Sequence, residues 1–412
     1  MTGLLDGIKV LDLTTMGTGP YTTQIFGELG AEIIKVETPG GDAVRGVGPA
    51  RNPGMSAMFL NLGRSKRSIV LDLKKPDGRL VLEKLAAQAD VVIHNMRKSA
   101  ARKLGLSYED MKRCNETVVY CSILGFGDNG PYAGLPAYDD LIQGLVALPD
   151  LTQRGSGEPR YVPLALADRT TGLFAAYAVL AAVVARLRTG IGREVEVSMF
   201  EALAGFVLGD HLYGEVFSPP EGEMGFPRHL APHRKPYRTS DGYIGVMPYT
   251  DRQWTALFKA VGAPELNEDD RFGSVYARTA NIAELYSLVS DFLVTRSTED
   301  WLRTFKEADV PAMQTNTLET LRDDPHLAAV GFFQEVDHPS EGRVWRMSPP
   351  VRSGQDASEP IREAPRLGEN SREILEELGF EHEQIQAFLE DGVTALPQAT
   401  NADTKESNKN GQ

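Results

Sequence analysis

The stretch from Pro159 to Leu203, PRYVPLALADRTTGLFAAYAVLAAVVARLRTGIGREVEVSMFEAL, decides the fold. Its centre, Leu173 to Ala185, carries no charge, which is typical of a helix packed on most sides, and it is too short to span a membrane. Arginines and a glycine follow and predict the end of the helix. The residues from Arg193 to Met199 then alternate as in a strand with one covered face. The stretch therefore predicts a buried helix followed by a strand.

One carboxylate, Asp168, stands just before the apolar run. An Asp at this position is usually a helix cap, because its side chain accepts hydrogen bonds from the N–H groups of the first turn. The apolar residues from Tyr161 to Ala167 read as a strand and would place Asp168 at a strand-to-helix corner, where α/β proteins tend to carry their chemistry. The residues alone leave both interpretations open, a cap and a catalytic carboxylate.

Upstream of this stretch, strand patterns and helix patterns alternate. The predicted strands are Ile8–Leu13, Glu32–Val36, Ser68–Leu73, Val91–His94 and Val118–Ser122. Helices are predicted from Pro20, over Pro76–Ala89, and after Ser107, which forms a near capping box with Asp110. This alternation predicts a parallel sheet with helices on both faces. The expected fold class is therefore α/β, with an open, doubly wound, Rossmann-like sheet.

The turn after the first predicted strand contains Gly17 and Gly19, and the acidic Glu37 ends the second strand. Strand, glycine turn, helix, strand and acid outline a dinucleotide-binding unit. Thr22, however, stands where the third glycine of that fingerprint lets the helix pack closely on the strand. An NAD-binding dehydrogenase is therefore a remote alternative that rests on a partial motif.

Basic residues concentrate in the first quarter of an otherwise acidic chain. They are Arg45, Arg51, Arg64, Lys66, Arg67, Arg97, Lys98, Arg102 and Lys103. Singly, each is most simply a solvated surface charge, but as a group beside glycine turns they favour a site for a phosphorylated cofactor. The glycine-rich loop from Gly125 to Pro131 is either a tight turn or a mobile cover over that site.

Beyond Leu208 the sequence changes character. Residues 209–230 read as a linker, and residues 231–330 predict a smaller α+β domain with a hairpin around Ser240, Asp241 and Gly242. Strand-like runs over Gln334–Val351 and two short helices follow, and disorder is expected over 396–412. A chain of 412 residues is long enough for two such domains.

Composition excludes several classes of function. The formal net charge of −14 argues against a general nucleic-acid binder and against an anionic membrane as partner. A signal-peptide pattern is missing, so a soluble, cytoplasmic protein is expected, with Cys114 and Cys121 as reduced thiols. Pro232 between His229 and His233 argues against a helix that presents both to a metal. No metal is expected.

The ordered set of motifs resembles the class III CoA-transferases, a group that includes formyl-CoA:oxalate and carnitine CoA-transferases. The motifs are LDLTTMGTGPYTTQIFGELGAEIIKVE, NLGRSKRSIVLDL, HNMR, GFGDNGPY, ALADRTTGLFAAYAVLAA, GREVEVSMFEA, TSDGYI and LGENSREILEELGF. The similarity runs from about residue 4 to about residue 392. It implies an intertwined homodimer in which each chain threads through a ring made by the other. Residues 1–208 and 331–395 of each chain build a large Rossmann-like domain, and the small domain lies between these two segments.

The resemblance also implies residue roles. Asp168 corresponds to the family's nucleophile. The residues implied in binding coenzyme A, as part of an acyl-CoA substrate, are Met16, Gly17, Thr18, Lys66, Asn95, Met96, Arg102 and Met199. The expected activity moves CoA from an acyl-CoA donor to a carboxylic acid acceptor through aspartyl anhydride and thioester intermediates on Asp168.

The nearest rival is an α-methylacyl-CoA racemase-like isomerase. Such enzymes pair the Asp with a His, since two-sided proton transfer needs a second acid/base group, and Ala137-Tyr138-Asp139 has no His at the matching place. Gly17 and Leu124 replace a Gln and a Lys of the oxalate enzymes, and residues 219–231 hold no obvious counterpart of their glycine-rich active-site loop, so oxalate is not the expected substrate. A succinyl-CoA-like donor is hypothesised.

The acceptor would then carry a second carboxylate that needs a cation. The candidates for holding it are Arg160, Arg169, Arg228, Arg234 and Lys235. Each of them, taken singly, is also compatible with an ordinary surface or helix-end charge.

Overall fold

A computed structural model of the chain describes residues 3–351 and 361–398. The strands are β1 (Lys9–Leu13), β2 (Glu32–Glu37), β3 (Arg67–Val70), β4 (Val91–His94), β5 (Val119–Leu124), β6 (Arg193–Ser198), β7 (Tyr237–Arg238), β8 (Tyr243–Val246), β9 (Ala312–Gln314), β10 (Phe333–His338) and β11 (Gly342–Met347). Residues 399–412, most of the tail expected to be disordered, lie outside the described residues.

The α-helices complete the inventory. They are α1 (Thr18–Glu28), α2 (Ala57–Leu62), α3 (Pro76–Gln88), α4 (Lys98–Lys103), α5 (Tyr108–Cys114), α6 (Asp139–Leu145), α7 (Leu148–Ser156), α8 (Leu166–Thr189), α9 (Met199–His211), α10 (Pro227–Leu230), α11 (Asp251–Ala260), α12 (Val275–Ala280), α13 (Ile282–Leu293), α14 (Thr298–Glu307), α15 (Leu318–Arg322), α16 (Pro325–Ala329), α17 (Ser371–Glu377) and α18 (His382–Glu390). The predicted capping box of Ser107 and Asp110 at the start of α5 is confirmed.

Six parallel strands form the central sheet in the order β3-β2-β1-β4-β5-β6. This confirms the predicted doubly wound parallel sheet. The order reverses between β1 and β4, which pair through Leu11 and Val92. In such sheets ligands bind outside the carboxyl ends of the strands at this switch point, because the two following loops separate there and leave a crevice.

Both faces of the sheet are covered, since successive side chains of a strand point to opposite faces. Leu11 belongs to a core with residues of α3 and α17, whereas its neighbour Val10 belongs to a core with residues of α1 and α8. The carboxyl-terminal part of the chain joins the first of these cores through Ile374, and Val70 N–H donates to Ser371 Oγ at 3.2 Å. The near-continuous apolar strands are explained by this double coverage.

The chain divides into two compact units. The first contains residues 1–142, 164–203 and 331–412 as far as they are described, and the second contains residues 143–163 and 204–330. Within the second unit, β7, β8 and β9 form an antiparallel sheet, which confirms the predicted hairpin.

The division differs from the one expected from sequence. Residues 143–163 were expected in the large domain and residues 209–230 as a linker, yet both belong to the second unit. The physical reason is that α7 and α10, one from each segment, pack against each other. Proline and glycine residues in 218–222 suggested a linker because they mark turns, which occur equally within compact units.

Helix α8 departs from its prediction in three respects. Tyr161 to Ala165 do not form a strand, and the backbone instead turns, with Leu166 N–H donating to Leu164 O at 2.7 Å. Asp168 does not cap the helix, because Ala165 holds the cap position and makes no side-chain cap bond. The apolar centre is not packed on most sides, because its outer side chains remain exposed. They are Leu173, Tyr177 and Val184, and Leu187 just beyond the centre is exposed as well.

By length and composition alone, α8 is also apolar enough to cross a membrane. The uncharged run from Leu173 to Ala185 is too short to span a membrane, but the helix that contains it has 24 residues. Only 44% of its most apolar window is buried within the chain. The four exposed side chains recur at helical spacing on one face, so α8 presents an apolar stripe that nothing in the described chain covers.

Candidate functional site

The turn between β1 and α1 forms one side of the crevice. Met16 takes a left-handed φ of 68°, and its N–H donates to Asp42 Oδ1 at 3.0 Å. A Cβ at Gly19 would lie 2.2 Å from Thr14 Cβ, so the turn closes only with glycine there. Asp12 holds the turn from below by accepting from Thr14 N at 2.9 Å.

Asn95, directly after β4, forms the other side. Its Oδ1 accepts from Thr15 N at 2.9 Å, and its Nδ2 donates to Thr15 O at 2.8 Å. The side-chain amide therefore pairs with the backbone N–H and C=O of one residue, Thr15, in the opposite turn, as a residue of a neighbouring strand would. Two predicted site positions, Asn95 and the Met16 turn, are thus joined across the switch point.

The Asp168 carboxylate lies against the first turn of α1. Thr18 Oγ1 donates to Asp168 Oδ1 at 2.5 Å. A Cβ at Gly17 would lie only 2.4 Å from Asp168 Oδ2, so a side chain at position 17 would displace the carboxylate. The structure therefore brings Gly17, Thr18 and Asp168 together, as the resemblance implies for a common site.

The electrostatics favour a reactive carboxylate. Burial raises the pKa of Asp168, and the nearby Asp139 carboxylate raises it further, while the Thr18 hydrogen bond and Arg169 act in the opposite direction. Asp139 Oδ1 also accepts the Asp168 N–H at 2.9 Å. The raised pKa makes Asp168 more basic than an exposed aspartate, and the positive end of α1 remains beside it.

Backbone donors begin the helix against which this carboxylate lies. The N–H groups of Gly17, Thr18 and Gly19 belong to the start of α1, where a helix leaves its first donors without an intrahelical partner. Within the described residues these three groups have no hydrogen-bond acceptor. They are therefore available to an oxyanion that forms next to Asp168.

A family model and several known proteins match the chain. The model of CoA-transferase family III covers residues 5–371. The chain belongs to CoA-transferase family III. It is 31% identical to succinyl-CoA:glutarate CoA-transferase of Mus musculus over 396 residues, which cover 94% of this chain and 90% of that protein. This CoA-transferase family member is accordingly a transferase.

Two further proteins extend the comparison. A probable fatty acyl-CoA transferase of Mycobacterium tuberculosis is 32% identical over 348 residues, 81% of this chain and 87% of its own length. The crystal structure of a CAIB/BAIF family protein from Brucella suis superposes with a TM-score of 0.77 at 34% identity, over 92% of this chain and 100% of that one. The α/β fold with its parallel sheet is therefore shared with solved members.

Lys66 of this CoA-transferase family member lies in the interior and not at an open surface. It is fully buried, and its Nζ lies 3.1 Å from Asp12 Oδ2 and donates to Pro20 O at 2.9 Å. Lys35 Nζ donates to Thr14 O at 2.8 Å in the same network. Burial disfavours the charged form of Asp12, but the charges of Lys66 and Lys35 and the hydrogen bonds from Thr14 and Thr23 together outweigh it and lower the Asp12 pKa to about 2. Lys66 thus supports the turn from behind.

The other basic residues also divide by partner. Arg45, Arg64 and Arg67 form ion pairs with Glu37, Glu28 and Glu32. Lys98 contacts Asp128 and Glu196, while Arg97, Arg102 and Lys103 are exposed. The ninth, Arg51, donates to Arg343 O at 2.8 Å. The nine cations therefore do not make one phosphate site. In the sequence, the acidic residues of α1 and β2 were the available indication that some of these cations form ion pairs.

The remaining predicted residues follow other strands. Met96 lies after β4 and packs on the sheet core, Arg102 is exposed on α4, and Met199 is buried at the start of α9 directly after β6. All three are at the carboxyl side of the sheet, where the crevice is. Their contacts with CoA, and that of Lys66, stay predictions.

The loop from Gly125 to Pro131 is tied to its neighbours. Gly127 N–H donates to Glu201 Oε1 at 2.9 Å, and Lys98 Nζ lies 2.8 Å from Asp128 Oδ2. Phe126 packs against Phe200 with ring centroids 5.8 Å apart. These three contacts anchor the loop in this conformation.

Sequence reasoning gave Asp139 no role, although it contacts Asp168. Its signal was weak, because Tyr138-Asp139-Asp140 reads as an ordinary acidic helix start. Among the described residues, no group of three or more His, Cys, Asp and Glu side chains is arranged to hold a metal ion.

Proposed function

We propose that this CoA-transferase moves CoA from an acyl-CoA donor to a carboxylic acid acceptor with Asp168 as the covalent nucleophile. The observation that carries the proposal is the placement of the Asp168 carboxylate. It does not cap its own helix and lies instead against Thr18 and the free N–H groups that begin α1. A carboxylate used only for capping would be bonded to its own first turn.

The proposed reaction conserves the thioester. An Asp168 oxygen attacks the donor carbonyl carbon, the C–S bond breaks, and an acyl–aspartyl anhydride and CoA thiolate result. The thiolate attacks the aspartyl carbonyl, which releases the donor acid and leaves an aspartyl-CoA thioester. An acceptor carboxylate then forms a second anhydride, and the returning thiolate attacks the acceptor carbonyl and frees Asp168.

Each attack creates an oxyanion that needs donors. The N–H groups of Gly17, Thr18 and Gly19 are suited to this task, because they are fixed by the turn and lie at the positive end of α1. Removing one such donor typically lowers kcat about 100- to 1,000-fold in enzymes of acyl transfer. Backbone donors cannot be deleted by substitution. The proposed mechanism is therefore tested by substituting Asp168.

We propose short dicarboxylic acids as the acids exchanged, with succinyl-CoA or a similar acyl-CoA as donor. The named substrates of the mouse relative support this choice. The fatty acyl activity named for the mycobacterial relative is the competing possibility. The two classes differ by a second carboxylate, which requires a cation near Asp168.

We propose further that a second copy of the chain covers α8. Support comes from its apolar stripe, in which Leu187 is 68% and Tyr177 57% exposed. Contiguous apolar surface of this kind marks an interaction site in a protein that stays in solution. An intertwined homodimer, as implied by the family resemblance, would bury it.

The test of the nucleophile is Asp168→Ala beside Asp150→Ala. Asp150 holds the matching third position of α7, so the control makes the same change at the same place in a helix. Asp168→Ala should lower turnover by several orders of magnitude and abolish a hydroxylamine-sensitive adduct found by mass spectrometry on the wild-type Asp168 peptide. Asp150→Ala should keep normal turnover and the adduct on the Asp168 peptide.

Two outcomes contradict the proposal. Near-normal turnover of Asp168→Ala, or an adduct on another carboxylate, would leave Asp168 without a covalent role. Enzyme-dependent exchange of the substrate α-proton with deuterated water would favour the racemase-like reaction, because that reaction proceeds by deprotonation next to the thioester.

A further inference from the structure

Arg169 follows the proposed nucleophile on α8 and is held over an aromatic ring. The centre of its guanidinium lies 4.4 Å from the centroid of Tyr21. Such stacking restrains the plane of the guanidinium and leaves its N–H edge open. The residue is half-buried, so its position is restricted by the surrounding packing.

The packing of α1 on α8 places this pair beside the reactive carboxylate. Thr18, which donates to Asp168, and Tyr21, which supports Arg169, lie one turn apart on the same face of α1. One position further, Thr22 Oγ1 donates to Gly172 O at 3.1 Å and fixes the contact between the two helices. The guanidinium is therefore within one helical turn of Asp168.

The donors of Arg169 are free in the part of the chain that the structure describes. No carboxylate there forms an ion pair with the guanidinium, and no acceptor there receives a hydrogen bond from it. Its counterpart at the other end of α8, Arg186, is by contrast bound to Asp90 at 2.5 Å. A half-buried guanidinium with a supported face and open edge is suited to bidentate carboxylate binding.

We propose that Arg169 binds the distal carboxylate of a dicarboxylic substrate while the other carboxyl group reacts at Asp168. This inference rests on the proposed function and adds the residue that selects the substrate class. Asp168 and Arg169 are consecutive residues of α8, so we expect the matching acid to have a short chain between its two carboxyl groups. An acid with one carboxylate leaves the guanidinium without its partner.

The other cations considered from sequence are engaged differently. Arg160 pairs with Glu158 at an exposed position. Arg228 Nε donates to Tyr286 OH at 3.2 Å within the second unit. Among the described residues, Arg169 alone of the five candidates interacts electrostatically with the Asp168 carboxylate.

The experiment compares Arg169→Gln with wild type on two acceptors of equal chain length, glutarate and pentanoate, with succinyl-CoA as donor. Because the reaction passes through a covalent intermediate, kcat/KM for each acid reports its own half-reaction. We expect Arg169→Gln to lower kcat/KM for glutarate roughly 10- to 100-fold, which corresponds to the loss of a charged hydrogen-bonded pair. For pentanoate the change should stay within about threefold.

Three controls separate substrate binding from structural effects. Arg169→Lys should restore part of the activity with glutarate, because it keeps the charge without the bidentate geometry. Tyr21→Leu should reduce glutarate turnover to an intermediate level by releasing the guanidinium. Arg113 is an exposed arginine on α5 that pairs with Asp110, and Arg113→Gln should leave kcat/KM unchanged for both acids. If Arg169→Gln does not fold, Arg169→Lys carries the same comparison.

The outcomes distinguish this inference from the proposed function. An equal loss for both acids would mean that Arg169 acts on Asp168 or on folding, and an unchanged glutarate rate would remove it from the site. Wild-type enzyme that forms the Asp168 adduct but prefers pentanoate would overturn only the assignment of Arg169. Wild-type enzyme that forms no adduct with any acyl-CoA would overturn the proposed function itself.

Discussion

At the scale of single residues, the reactivity of Asp168 depends on its immediate neighbours. Asp168 and Asp139 are separated by 29 positions in sequence, yet the Asp139 carboxylate accepts the Asp168 N–H. This contact fixes the start of α8, and the negative charge also makes ionisation of Asp168 harder. We therefore expect Asp139 to be a positioning residue whose effect can be measured in the dependence of activity on pH.

Asp139→Asn should move the acid limb of the kcat/KM profile to lower pH. In the proposed reaction Asp168 attacks only when ionised, so its raised pKa should make activity fall on acidification earlier than for an ordinary aspartate. The substitution keeps an acceptor oxygen but removes the charge that raises the pKa, so the Asp168 pKa falls. A pH profile of kcat/KM measures the shift. An acid limb that stays in place would remove Asp139 from the electrostatics of the site.

The buried Lys66 offers a second test at this scale. Lys66→Met leaves the Asp12 carboxylate without one of its buried cations and should cost about 3–5 kcal/mol in the free energy of unfolding, measured by urea denaturation. Arg102→Gln changes an exposed cation and should cost less than about 0.5 kcal/mol while weakening CoA binding about tenfold. A Lys66→Met protein of normal stability that binds CoA poorly would instead support a direct CoA contact.

At the scale of elements, the contact between α1 and α8 sets the geometry of the site. A Cβ at Gly172 would lie 2.9 Å from Tyr21 Cδ1 and 3.0 Å from Thr18 O. The glycine allows α8 to approach α1 closely enough for Thr18 to reach Asp168. It is therefore a requirement of helix packing and not of backbone conformation.

Gly172→Ala should push the two helices apart. We expect a loss of about 1–3 kcal/mol in the free energy of unfolding and a fall in kcat of about tenfold, since the Thr18–Asp168 bond lengthens. Gly205→Ala on α9 is the control, because a Cβ there meets nothing within 4 Å and removing a helix glycine is neutral or stabilises by up to about 1 kcal/mol. Equal behaviour of the two variants would refute the packing argument.

At the scale of the whole molecule, the apolar stripe of α8 is the main unexplained surface. The proposed dimer predicts that Leu187→Glu weakens association, because burying a carboxylate in an apolar interface is costly. Sedimentation should show a dimer for the wild type and a larger monomer fraction for the variant. Leu80→Glu on α3, at a leucine that is 44% exposed, is the control and should leave the dimer intact. A monomeric wild type would contradict the dimer.

The cytoplasmic location expected from the sequence stays a prediction.

The sequence by itself determined the six strands of the central sheet, their order along the chain and several of the helices between them. The six strands, the capping box at Ser107 and the hairpin at Asp241 depend on periodicity and turn chemistry within a few residues, so a local pattern is sufficient to predict them. Parallel pairing followed from the alternation of strands and helices, because consecutive parallel strands need a helical crossover between them. The resemblance supplied the family and the candidate nucleophile.

Only the tertiary structure decided which polar side chains meet. Asp168 sits at a helix start in either interpretation, and only the approach of Thr18 and Gly17, 150 positions away in the case of Thr18, supports the proposed reactive carboxylate over a cap. The burial of Lys66 on Asp12 was equally invisible, since a charge in the sequence carries no sign of its partner. The exposed stripe of α8 was also missed. Hydrophobicity predicts that a surface is buried, but whether the same chain or another molecule covers it depends on the arrangement of all other elements.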